Sequence, residues 1–146
     1  SVFRHWSSVN KTTKLPSSFT CLRSILKTMN KFKFEKLIIW QKAMDFGEVI
    51  DKLNTAFPDK EKFNLSSQIR RAADSIALNI SEGSIGQSNP EQKKFIGYSI
   101  RSLAEVVTCL FKAKRRNYIT EIQFTELYNE SYHLMNMMSA FRKNIK

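Results

Sequence analysis

The chain has 146 residues, a length that one domain fills. An apolar share of 42% suffices for a soluble core, and four glycines with three prolines argue against a loop-rich all-β fold and an unstructured chain. A net charge of +11 with a pI near 9.8 favours polyanionic partners (RNA, DNA or an acidic protein surface) without choosing among them.

Residues 1–28 hold Arg4, Lys11, Lys14, Arg23 and Lys27 and no acid, so five of the eleven net charges precede the first patterned segment. This stretch is rich in Ser and Thr and has no helical period. It lacks the apolar run and small-residue cleavage site of a secretory signal. It reads as a flexible N-terminal tail or a translated leader. Its composition also resembles an organellar transit peptide or a basic arm that touches phosphate. Met29-Asn30-Lys31 resembles a natural start, which places the folded domain at 29–146.

From Phe34 onward the pattern is helical. In the first segment Leu37, Trp40, Met44, Gly47, Ile50 and Phe57 form one apolar stripe, and Pro58 ends it. The second helix is expected to start at an Asn64 N-cap, carry Leu65, Ile69, Ala72, Ala73, Ile76 and Ile80 inward, and close on Gly83 at C′. The third start reads Asn89 as cap, Pro90 as first helical residue and Gln92 as capping-box partner. Phe95 or Ile96, Ser99, Leu103, Val106, Leu110 and Ala113 continue its stripe to about Arg116. Thr120 with Gln123 supplies another capping box. Phe124, Leu127, Ser131, Leu134, Met138, Phe141 and Ile145 then repeat at steps of three and four, a heptad seam. Short connections between helices of this length imply antiparallel neighbours. The expected fold is all-α, an antiparallel up-and-down four-helix bundle.

Catalytic and metal chemistry find little support. His5 lies in the tail and His133 on the last helix. Glu130-x-x-His133 has the local spacing of a di-iron ligand pair, but no second such pair and no set of inward glutamates accompanies it. The GSIGQS connection lacks the Lys-Ser/Thr and preceding strand of a phosphate loop. Cys21 and Cys109 suggest neither a disulfide framework nor a zinc site, and Cys109, inside VVTCLF, is expected as a buried thiol. No apolar run reaches 18 residues, so no transmembrane helix is expected and the cytoplasm is the default compartment. The chain is read as a non-enzyme that needs no cofactor and no metal.

Basic groups give the candidate binding surface: Arg70 and Arg71 on the second helix, then Lys112, Lys114, Arg115 and Arg116 ending the third. Each cluster alone is also what a solvated face or a C-terminal dipole partner presents. Together they make backbone contact to nucleic acid credible, with a strong salt dependence. Additional apolar residues (Ile38, Ile39, Phe46, Val49, Leu78, Ile100, Val107, Phe111, Tyr128, Met135 and Met137) outnumber one stripe per helix. With the small residues Ala72, Ala73, Ser75 and Ala77 they point to self-association.

Leu37-Ile38-Ile39-Trp40-Gln41-Lys42-Ala43-Met44, then Phe57-Pro58 with Glu61, then the QIRRAADSIALNISEG string at 68–83, then Ser102-Leu103-Ala104-Glu105 occur in order. They resemble the bacterial four-helix bundle family named for proteins encoded in 23S rRNA intervening sequences. The resemblance covers Phe34 to about Phe141 and leaves residues 1–28 without a counterpart. It implies an antiparallel bundle assembled as a homopentamer. A relative, the accessory protein of diversity-generating retroelements, is a basic pentamer that binds nucleic acid and a reverse transcriptase. Asn64 replaces a usual Gly, Ser81 a usual Ala, and Ile100-Arg101 the small residues expected before Ser102.

The motif residues Trp40, Ser75, Asn79, Glu82, Gly83, Ser102 and Glu105 are accordingly assigned to packing or assembly. Ser75 and Asn79, one turn apart, are expected to bridge helices by hydrogen bonds, and Glu82 to find a cationic or backbone partner. The six cations remain the nucleic-acid candidates, with an adaptor role toward an acidic protein such as a reverse transcriptase as the alternative.

Overall fold

Each segment with a helical period is a helix in the computed structural model, which describes residues 30–146 apart from Gln87. The helices are α1 (Ile38–Asn54), α2 (Leu65–Ser84), α3 (Asn89–Arg115) and α4 (Glu121–Asn144). Among the described residues, short 3-10 turns at Lys33–Lys36 and Asp59–Glu61 are the remaining regular elements, and no strand occurs. The expected tail or leader over residues 1–28 lies outside the described residues.

The cross-helix contacts fix direction. Between α2 and α3, Ser75 meets Ser102, Ser99 reaches the Ile76 carbonyl, and Gly83 faces Phe95, so one number rises as the other falls. The same opposed order joins α1 to α2 (Asp51 with Arg70, Asn54 with Ser66) and α3 to α4 (Lys114 with Glu121, Lys93 with Arg142). The helices therefore run antiparallel, each against the next. The α2–α3 contact is the most extensive, and α1 meets α4 only thinly.

Each helix buries one stripe. Ile69, Ile76 and Ile80 from α2, Ile96, Val106 and Leu110 from α3, and Met138 from α4 have no measurable exposure and fill the centre. Burying each such aliphatic side chain contributes about 1.5–3 kcal/mol. Ser99 and Ser131 share this interior because their hydroxyls donate to helix carbonyls, Ile76 and Leu127 respectively. Cys109 is buried as expected, and burial pushes its thiol up from the ordinary value, which keeps it neutral.

Several local expectations shift by one position or change cause. In α1 the buried line is Ile39, Ala43, Phe46 and Ile50, one residue round from the expected Trp40, Met44 and Gly47. Four consecutive apolar residues, Leu37–Trp40, leave the phase of the stripe undetermined by spacing alone. The segment before Ile38 is not α-helix but a 3-10 turn, whose Glu35 carboxylate accepts the Phe32 amide at 3.0 Å. Asn64 occupies the N-cap of α2 without a side-chain cap bond; Glu61 accepts the buried Leu65 amide instead. The cap of α3 is Ser88 rather than Asn89, and its side chain makes no capping bond either. Gly83 lies inside α2, and the positive φ of 62° belongs to Gly86. The Thr120–Gln123 capping box forms reciprocally, with bonds of 2.9 and 3.2 Å.

Candidate nucleic-acid interface

Residues on facing helices project into a shared trough when their register is opposed. Arg71 and Ser75 on α2 and Arg101, Ser102, Glu105, Thr108, Cys109 and Lys112 on α3 line such a groove, of about 610 Å³. Its floor is small and polar, its walls carry three cations, and Glu105 is the single acid lining it. Of the expected candidates, Arg71 and Lys112 meet here. Among the described residues Arg71, Lys112 and Arg115 take part in no ion pair, so their charge is available to an anion.

The other three cations are engaged within the chain. Arg70 pairs with Asp51 at 2.9 Å across α1 and α2, and Lys114 with Glu121 at 2.8 Å across α3 and α4. Both pairs are solvent-exposed and contribute at most about 1 kcal/mol. Arg116 is held by Glu61 at 2.9 Å. Sequence reasoning did not place Arg101 among the candidates, because no other base adjoins it in the chain. Its signal was spacing: Arg101, Glu105, Thr108, Lys112 and Arg115 step by four, three, four and three along one exposed line of α3.

The groove floor is held by hydrogen bonds. Asn79 donates Nδ2 to the Ser75 carbonyl at 2.8 Å and to Ser75 Oγ at 3.0 Å, and Ser102 Oγ lies 3.0 Å from Ser75 Oγ. Of the two residues expected to bridge helices, Ser75 does so, through Ser102 of α3, whereas Asn79 bonds within α2 and holds Ser75 in place. Gly83 lets α3 approach closely: a Cβ there would stand 2.6 Å from Phe95 Cβ. Glu82 differs from expectation. It is exposed, and its carboxylate forms no ion pair or hydrogen bond with the described residues.

At the opposite end of the bundle, buried Glu61 accepts three bonds: the Leu65 amide at 3.2 Å, Arg116 Nη1 at 2.9 Å and the Tyr118 hydroxyl at 3.0 Å. Burial pushes its carboxyl up, but the Leu65 amide, the Tyr118 hydroxyl and the Arg116 guanidinium outweigh it and hold the value below 4.5. Three bonds to one carboxylate join the α1–α2 connection to the α3–α4 connection.

A second trough, between α1 and α2, is chemically different. Trp40, Met44, Gly47, Ala73, Ala77 and Leu78 line about 460 Å³, with Glu48 and Asp74 beside them. Ile38 and Leu78 are more than 60% exposed. Trp40, expected to serve packing or assembly, belongs to this face and also packs on Phe34, ring centroids 5.1 Å apart. Ile39 and Phe46, expected on a second apolar face, are instead core. No group of three or more His, Cys, Asp or Glu could hold a metal among the described residues, and no helix there is long and apolar enough to cross a membrane.

An antiparallel four-helix bundle with a basic groove on α2 and α3 and an apolar one on α1 and α2 defines the class. Residues 35–140 match the model of the 23S rRNA-intervening sequence protein family, and the chain belongs to that family. It is also similar to a solved protein of unknown function from the S23 ribosomal protein family of Bacteroides thetaiotaomicron. That likeness has 25% identity and a TM-score of 0.68, over 73% of this chain and 96% of the other. No curated protein matches the chain.

Proposed function

We propose that this protein is a non-enzymatic, cytoplasmic, homo-oligomeric bundle, a pentamer, that binds RNA or other nucleic acid through the basic α2–α3 groove. The observation that carries the reading is the groove itself: Arg71, Arg101 and Lys112 converge on one trough with only Glu105 opposing them. Such cations contact phosphate, and each neutralised phosphate releases counterions, so affinity falls steeply with salt. The apolar α1–α2 trough supports self-association, because small residues there let another helix come close.

Fluorescence anisotropy with labelled RNA at two salt concentrations tests the reading. Affinity should fall with salt, and Arg71→Ala with Lys112→Ala should weaken binding and reduce the logarithmic salt slope by about 0.7 per lost contact to a single strand. Binding that ignores salt, or a double variant that binds like the parent, would refute the proposal.

The same basic groove favours a second reading, an adaptor that docks an acidic protein such as a reverse transcriptase. A reverse-transcriptase gene beside this one would support it, whereas a position within an rRNA operon would support RNA binding.

A further inference from the structure

The exposed line of α3 has two unlike flanks. Toward α2 lies the basic groove. Toward α4 lies an aromatic patch: Phe111 stands edge-on to Phe124 and to Tyr128, with centroids 4.9 and 6.1 Å away, and Tyr132 follows Tyr128 one turn along α4. Phe124 is buried beneath them, whereas Phe111, Tyr128 and Tyr132 are exposed by 44%, 40% and 57%. Phe111 adjoins Lys112 in sequence and lies one turn from Arg115, so unpaired cations border the rings. The nearby acid Glu121 is already held by Lys114, whose ammonium sits 4.4 Å from the Phe124 ring centroid.

Aromatic rings beside free cations match one kind of ligand better than others. A duplex offers phosphates but keeps its bases stacked on one another, leaving exposed rings uncovered. A single strand offers phosphates and free base faces together, and stacking is tolerant of sequence. We infer that this face takes a single-stranded stretch of nucleic acid, its bases stacking on Phe111, Tyr128 and Tyr132 while Arg71, Arg101, Lys112 and Arg115 hold its phosphates. The inference rests on the proposed nucleic-acid function and narrows it to unpaired segments.

Binding of a labelled single-stranded RNA and of a duplex of equal length is the test, measured on the full chain. The parent should prefer the single strand. Phe111→Leu, which keeps an apolar side chain over Phe124, and the exposed Tyr132→Ala should each weaken single-strand binding about fivefold or more. Neither should alter duplex affinity or the salt slope, because no phosphate contact is lost. Equal affinity of the parent for both RNAs, or single-strand binding unchanged in both variants, overturns the inference. Loss of assembled mass in either variant also overturns it, since the patch would then be a contact between copies. Arg71→Ala with Lys112→Ala separates the two ideas. If that variant loses both RNAs while the ring variants lose neither, phosphate binding stands and stacking falls. If it loses neither, the nucleic-acid function itself falls.

Discussion

Glu61 is one residue whose removal touches two interhelical connections at once. Arg116 and Tyr118, which donate to it, lie 55 and 57 positions away in sequence, and the third donor, the Leu65 amide, opens α2. Nothing local announces such a node. Glu61 was legible only as part of a family pattern, whereas the Ser75–Asn79 pair was legible because it spans a single turn, although the Asn79 bond stays within α2 instead of crossing to another helix. Since the folded carboxyl titrates below the usual glutamate value of 4.5, its stabilising effect is present above that value and is lost as pH falls through and below it. Glu61→Gln removes the charge and should lower the urea midpoint near neutral pH. The gap between parent and variant should close as pH drops below the ordinary glutamate range. Urea unfolding across that range measures it; a gap that stays constant with pH would show that the charge of Glu61 contributes nothing.

Among the elements, what could be read from the sequence was what repeats locally: the α3 and α4 stripes and the Thr120 box lie where spacing placed them. Misplaced features depended on neighbours that spacing does not encode. The α1 stripe sits one residue round because contact with α2 chose among four apolar residues in a row. Gly83 was read as a helix terminator, yet it serves the α2–α3 crossing. Gly83→Ala therefore sets two effects against each other. Alanine favours helix by about 1 kcal/mol. The added Cβ, 2.6 Å from Phe95 Cβ, forces two helices apart at a cost of about 1–3 kcal/mol. The clash involves a Cβ fixed to backbone, not the free end of a side chain, so it should win. Thermal unfolding should show a lower midpoint for Gly83→Ala. In Gly47→Ala, where an added Cβ meets nothing within 4 Å, it should be unchanged or higher for the unassembled chain. A stabilised Gly83→Ala would mean that α3 has room to move away.

For the whole molecule, the question is which face another copy would cover. A closed ring of five identical chains needs a heterologous contact, in which each copy offers two different patches and every junction repeats the same pair. The α1–α2 trough is suited to be one patch, being apolar, shallow and lined by Met44 and Leu78, whose side chains are both exposed. Because each junction uses the trough once, one substitution strikes all five contacts together and the ring should fail as a unit. Leu78→Glu is the substitution of choice: the residue is 64% exposed, so the bundle loses little packing, while the new carboxylate joins Glu48 and Asp74 on a surface that would have to be desolvated. Light scattering at micromolar concentration on a chain beginning at Met29 should give the mass of five copies, and of one after Leu78→Glu, with helical circular dichroism unchanged. A parent that is already monomeric refutes the pentamer. A variant that still assembles moves the contact to another face, and the exposed rings of α3 and α4 become the next place to look.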